Sequence, residues 1–103
     1  MLKETKTQIT KNFLTLIILR RLQGEPAHGY RIIVDIKKFY GVYFGPSTVY
    51  PLLNRLEENG YVQSEWRTEN DRPRKIYHIT QKGEKLLDQT ASSLLFIINQ
   101  LTA

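Results

Sequence analysis

Between Ser47 and Arg55 the sequence gathers side chains able to read or grip a nucleic acid, in the run Ser47-Thr48-Val49-Tyr50-Pro51-Leu52-Leu53-Asn54-Arg55. Hydroxyls such as those of Ser47 and Thr48 bond phosphates or base edges. An asparagine amide can pair with adenine, and an arginine can address guanine or hold a phosphate. Tyr50 can reach a phosphate or pack on a sugar, and Pro51 sits on the same outward side. Arg72, Arg74 and Lys75 form a second basic group among turn-forming residues, suited to phosphates or a minor groove. Tyr30, Lys11 and Asn12 are read as lying near helix starts, where they could add backbone contacts. The plain alternatives are that Ser47 and Thr48 only cap a helix, that Tyr50 is core, and that the basic loop is merely solvated. Glu57 and Glu58 would repel phosphate, so the later half of that segment should lift away from it.

Catalytic chemistry has no comparable foundation. His28 and His78 are the only histidines and there is no cysteine, so thiolate metal sites and disulfides are excluded. No nucleophile, base and orienting group assemble from the sequence, and no glycine-rich phosphate loop is present. His28 is expected to open a helix and His78 to lie in a strand. Neither an enzyme nor a cofactor is expected.

The elements that must position these residues follow from hydrophobic period and breaker residues. A first helix is expected from about Thr10 to Leu22, with Phe13, Leu14, Leu16, Ile17, Ile18 and Leu19 covering most of its circumference. A helix apolar nearly all round is buried on several sides. Gly24 and Pro26 end it. A second helix runs from His28 to Gly41 on Ile32, Ile33, Ile36, Phe39 and Tyr40. The third opens after Gly45-Pro46, with Thr48 preferred to Ser47 as cap because Pro51 then costs no intrahelical bond. Its inner stripe is Val49, Leu52, Leu53 and Leu56. Its outer stripe is Ser47, Pro51, Asn54, Arg55 and Glu58, and Gly60 closes it. Strands are expected at Tyr61–Trp66 and Lys75–Thr80, joined by a long polar tip over residues 67–74. Thr80 then caps a last helix, Gln81 to Leu101. On it Leu87, Ala91, Leu94, Ile98 and Leu101 repeat at coiled-coil spacing.

Charge agrees with a polyanionic partner. The chain has 103 residues and a net charge of +5. Residues 1–44 carry eight Lys/Arg against three Asp/Glu, and residues 61–83 carry five against three, whereas 45–60 and 84–103 are each −1. Such an excess favours nucleic acid or an anionic membrane. No apolar run approaches the roughly 18–20 residues of a membrane span, so no membrane is expected as partner and the chain reads as cytoplasmic.

Three helices followed by a hairpin give the expected fold class, mainly α with a β-hairpin. This is a winged helix-turn-helix, in which the later helix enters the major groove of double-stranded DNA. The expected organisation is a DNA-binding region over residues 1–80 and a dimerisation helix over 81–103, in one domain overall. A homodimer would be held by Leu87, Ala91, Leu94, Ile98 and Leu101 with Phe13 and Ile17. A non-specific architectural DNA-binding protein and a winged-helix protein–protein module are the alternatives.

The chain resembles the PadR family of transcriptional regulators in its short form. The likeness rests on His28-Gly29-Tyr30, on Ser47-Thr48-Val49-Tyr50-Pro51-Leu52-Leu53 with Arg55-Leu56-Glu57 and Gly60, and on Trp66. Arg74-Lys75-Ile76-Tyr77 and Ile79-Thr80 with Gly83 complete it. It implies a winged-helix dimer that binds a roughly palindromic operator, usually to repress, and that dimerises through its last helix against the partner's first. Some relatives take flat aromatic compounds near the dimer interface, so a small aromatic effector belongs to the expectation. The last helix here carries no tryptophan.

Overall fold

The computed structural model describes residues 2–103. In chain order the elements are α1 (Leu2–Asn12), α2 (Leu14–Gly24), β1 (Ala27–His28), α3 (Gly29–Tyr40), α4 (Pro46–Glu58), β2 (Val62–Glu69), β3 (Arg72–Ile79) and α5 (Gln81–Thr102). The three strands form one antiparallel sheet in the order β1-β3-β2. Sequence reasoning missed β1, whose two residues pair Ala27 with Tyr77 and His28 with Ile76.

The first helix begins earlier than the expected Thr10. Residues 2–12 are helical, but mostly polar and exposed, so they carry no apolar stripe to reveal them. The rod is interrupted at Phe13, whose N–H is shared between the Ile9 and Thr10 carbonyls. Thr10 also bonds back to the Lys6 carbonyl at 2.7 Å, a contact that bends helices. Lys11 and Asn12 consequently end α1 and do not begin a helix.

Ile18, Leu19, Ile32, Ile36, Val49 and Leu53 are almost wholly buried where α2, α3 and α4 meet, with Val62 and Tyr77 of the sheet beneath them. Each such side chain contributes on the order of 1.5–3 kcal/mol. An Arg21–Asp35 ion pair at 2.7 Å joins α2 to α3, with both side chains largely buried. Arg21 also donates to the Glu25 carbonyl at 3.0 Å, so the guanidinium is well satisfied.

The hairpin corrects the expected long tip. The strands run on to Glu69 and Arg72, and only Asn70 and Asp71 turn the chain. Both have positive φ, 51° and 62°, as a type I′ turn requires. Polarity hid the strand ends because this part of the hairpin projects past the core and has no face to bury.

At the far end of β3, Thr80 caps α5 as expected, accepting from the Gly83 N–H at 3.1 Å. Its hydroxyl donates in turn to the Gly60 carbonyl at 2.6 Å. A Cβ on Gly83 would lie 2.2 Å from the Tyr61 carbonyl oxygen, whereas one on Gly24 would meet nothing within 4 Å. Gly83→Ala should therefore cost about 3 kcal/mol by forcing this junction apart, and Gly24→Ala less than about 1 kcal/mol. Urea unfolding of the two variants measures both.

Candidate nucleic-acid interface

The start of α4 differs from expectation in a way that matters for the surface. Gly45, not Thr48, is the N-cap, and Pro46 is the first helical residue. Proline fits there because its fixed φ suits a helix start and its missing N–H would have been unpaired. The Thr48 and Val49 N–H groups both reach the Gly45 carbonyl at 3.0 Å. Pro51 accordingly lies inside the helix, and the Ser47 carbonyl loses its ordinary intrahelical donor. The other end follows the reading. Gly60, at φ 79°, bonds back to the Glu57 carbonyl while Tyr61 bonds back to Leu56. That pair of bonds is a Schellman motif.

Val49, Leu53 and Leu56 are buried, so Ser47, Pro51, Asn54 and Arg55 are exposed on one side of α4. Thr48 is half-buried beside them. Tyr50 lies at the edge of this stripe with its ring against the start of α3. A Cβ on Gly29 would meet the Tyr50 ring at 2.5 Å, so glycine is needed for that approach. Tyr30, one residue on, is exposed and stacks on His28 with centroids 6.4 Å apart. One surface therefore joins short polar groups, an amide, a guanidinium and two phenols.

The hairpin does not bring its three predicted basic residues together. Arg72 and Arg74 share one face, as their register partners Glu69 and Arg67 show. Lys75 is on the opposite face, where its Nζ lies 3.4 Å from Glu57 of α4. Glu57 also accepts a short hydrogen bond from the Ser64 hydroxyl. Glu57, expected to repel phosphate, is thus engaged by its own fold.

Sequence reasoning missed a cleft beside α4. Tyr30, Ile33, Val34, Lys37, Lys38 and Tyr43 line it with Pro46, around a volume of about 610 Å³. The Lys37-Lys38 doublet, followed five residues after Lys38 by the exposed Tyr43, was the available signal.

The other predicted group lies away from this surface. Leu87 and Ile17 are already buried by their own chain, and Phe13 and Leu94 are half-buried. Ala91, Ile98 and Leu101 remain exposed, as do Leu95, Phe96 and Ile97. An apolar groove of about 490 Å³ runs between α1–α2 and α5, lined by Ile9, Phe13, Leu16, Leu94 and Ile98 among others.

The sequence pattern of the Transcriptional regulator PadR-like family matches residues 18–89, most of the chain. The chain belongs to the PadR-like family. Members are transcriptional regulators, not enzymes. A transcriptional regulator of Mycobacterium tuberculosis is 32% identical over 79 residues, covering 77% of this chain and 73% of that protein. A PadR family regulator from Eggerthella lenta superposes with a TM-score of 0.87 at 27% identity, over 97% of this chain and 88% of that one. Bacillus subtilis PadR, solved in complex with operator DNA, gives 0.70 at 25% identity over 76% of this chain and 45% of that longer one. The fold is the winged helix of PadR regulators. Among the described residues no helix is long and apolar enough to cross a membrane.

The link between Glu57 and the hairpin has a pH signature. The Ser64 hydrogen bond, and after it the Lys75 charge, hold the Glu57 carboxyl below its ordinary 4.5 against an opposing effect of burial. A carboxyl lowered by folding contributes stability above its unfolded value that is lost as pH falls through the folded one. Glu57→Gln should therefore flatten part of the loss of stability below about pH 4.5, measured by urea unfolding across that range.

Proposed function

We propose that this chain is a sequence-specific double-stranded DNA-binding regulator, working as a homodimer on a pseudo-palindromic operator in the cytoplasm. The observation that carries the reading is the exposed side of α4, where Ser47, Pro51, Asn54 and Arg55 stand together with Tyr50 at its edge. Family membership and the operator complex of a structural relative support it. Repression is the sense implied by the resemblance, since a protein seated on an operator excludes other proteins from it.

In this reading α4 lies in the major groove with Asn54 and Arg55 at base edges. Arg72 and Arg74 of the hairpin hold flanking phosphates, and Lys75 contributes through Glu57 more than through DNA. Selection of bound duplexes from random DNA tests the proposal and returns the half-site with its spacing. Asn54→Ala should then lower affinity for the selected site by about tenfold while changing non-specific binding little. Equal weakening on all duplexes would favour the architectural alternative. If no duplex is retained at low salt, the DNA-binding reading is wrong.

The homodimer rests on the apolar end of α5. Leu95, Phe96, Ile97, Ile98 and Leu101 are all exposed, Leu101 at 80%. A helix segment apolar on every side is expected to be covered. The adjoining groove and the exposed Ile9 of α1 extend the same surface, consistent with a second copy crossing it. Ile98 is exposed in the single chain, so Ile98→Asp leaves that chain folded. It should convert a dimer to monomer in sedimentation, because it buries an unpaired carboxylate at the seam. An unchanged dimer would place the interface elsewhere.

A further inference from the structure

We propose that His28, in its neutral Nδ1–H form, is a positioning residue that aims Arg74 at the DNA backbone. The inference rests on the DNA-binding reading and adds a residue and a proton dependence to it. His28 Nε2 lies 3.2 Å from Arg74 Nη1. A guanidinium only donates hydrogen bonds and stays charged. The imidazole must therefore accept through Nε2, which fixes its proton on Nδ1.

The ring is placed from several directions. β1 pairs His28 with Ile76, and Arg74 is two residues nearer the hairpin turn on the same face of β3. Tyr30 stacks on the ring from α3 at an interplanar angle of 24°. The charged groups facing it are Arg74 from β3, Arg31 from α3 and Glu69 from the end of β2. Burial foremost, then Arg74 and Arg31, hold its pKa below 6.5, with Glu69 pulling the other way. The neutral form is thus the resident one at neutral pH.

A neutral acceptor does what a carboxylate could not. Arg67, on the same hairpin face, is held by Glu65 at 2.8 Å, and Arg21 by Asp35 at 2.7 Å. Those pairs orient a guanidinium and cancel its charge. Among the described residues Arg74 has no carboxylate partner. His28 orients Arg74 while leaving its full charge and remaining donors for a phosphate. Protonating His28 removes the acceptor and sets two cations at hydrogen-bond distance, so Arg74 loses its aim.

The test is binding of the full chain to a duplex recovered by selection from random DNA, between about pH 7.5 and 5.5. Arg74→Ala should weaken binding about tenfold. His28→Ala should weaken it comparably, and the double variant no further, since both remove one interaction. His28→Gln keeps an acceptor that does not titrate. It should bind within about twofold of the original chain at the higher pH and lose less affinity on acidification. His78 is present in both proteins, so their difference isolates His28. Additive effects of His28→Ala and Arg74→Ala would overturn the proposal. So would tighter binding of the unaltered chain at low pH with His28→Gln flat, which would make His28 itself the phosphate contact. An Arg74→Ala variant that binds normally would overturn it while leaving DNA binding intact. Failure of the unaltered chain to retain any duplex would instead remove the reading beneath it.

Discussion

One side chain ties the end of α4 to the start of α5. The Thr80 hydroxyl donates to the Gly60 carbonyl and accepts from the Gly83 N–H, while the Thr80 N–H reaches the Tyr61 carbonyl at 3.1 Å. Gly83 leaves no space between the two segments. The Schellman turn after α4, the return of β3 and the cap of α5 therefore share a few atoms. Where α5 goes, α4 follows. In the proposed dimer, with two copies of α4 on one duplex, this junction would transmit the geometry of the dimer to the spacing of the half-sites.

Much of this was legible in the residues. The inner stripe of α4 and its outer stripe separate cleanly because the element lies on a core, and burial enforces the helical period. The Thr80 cap and the Gly60 stop were readable because their chemistry is local. The α4 start was misread because two local solutions compete there. Placing the cap at Thr48 would have spared the bond lost at Pro51. The chain instead uses Pro46 as its first helical residue, accepting the missing donor on the exposed side, where solvent can serve the Ser47 carbonyl. The outer hairpin and α1 were missed because neither has a core beneath it, so no periodicity marks it. Nor could the sequence separate Arg74 from Lys75. Neighbours on a strand point to opposite faces, but only the β2–β3 register shows which face meets α4.

The net positive charge is not spread evenly over available groups. Arg21, Arg67 and Lys75 face carboxylates of their own chain. Arg55 and Arg72 have no such ion pair among the described residues, and Arg74 has a neutral partner. Arg74 is tied through His28 to the region of Tyr30. Total charge overstates what a polyanion can meet. The arrangement leaves unpaired cations on α4 and the hairpin, and pairs the others with carboxylates of the same chain.

The outer half of the hairpin has a further consequence. From Glu65 to Pro73 the strands keep a full ladder of backbone bonds, yet every side chain there is exposed. With so little buried area behind it, this segment opens at a small fraction of the free energy needed to unfold the helices. Its amides should be among the first to exchange with solvent. A nucleic acid that needs the hairpin closed must supply that free energy on binding, so the flexibility of the wing is a toll on affinity that sequences gripping it well can repay and others cannot.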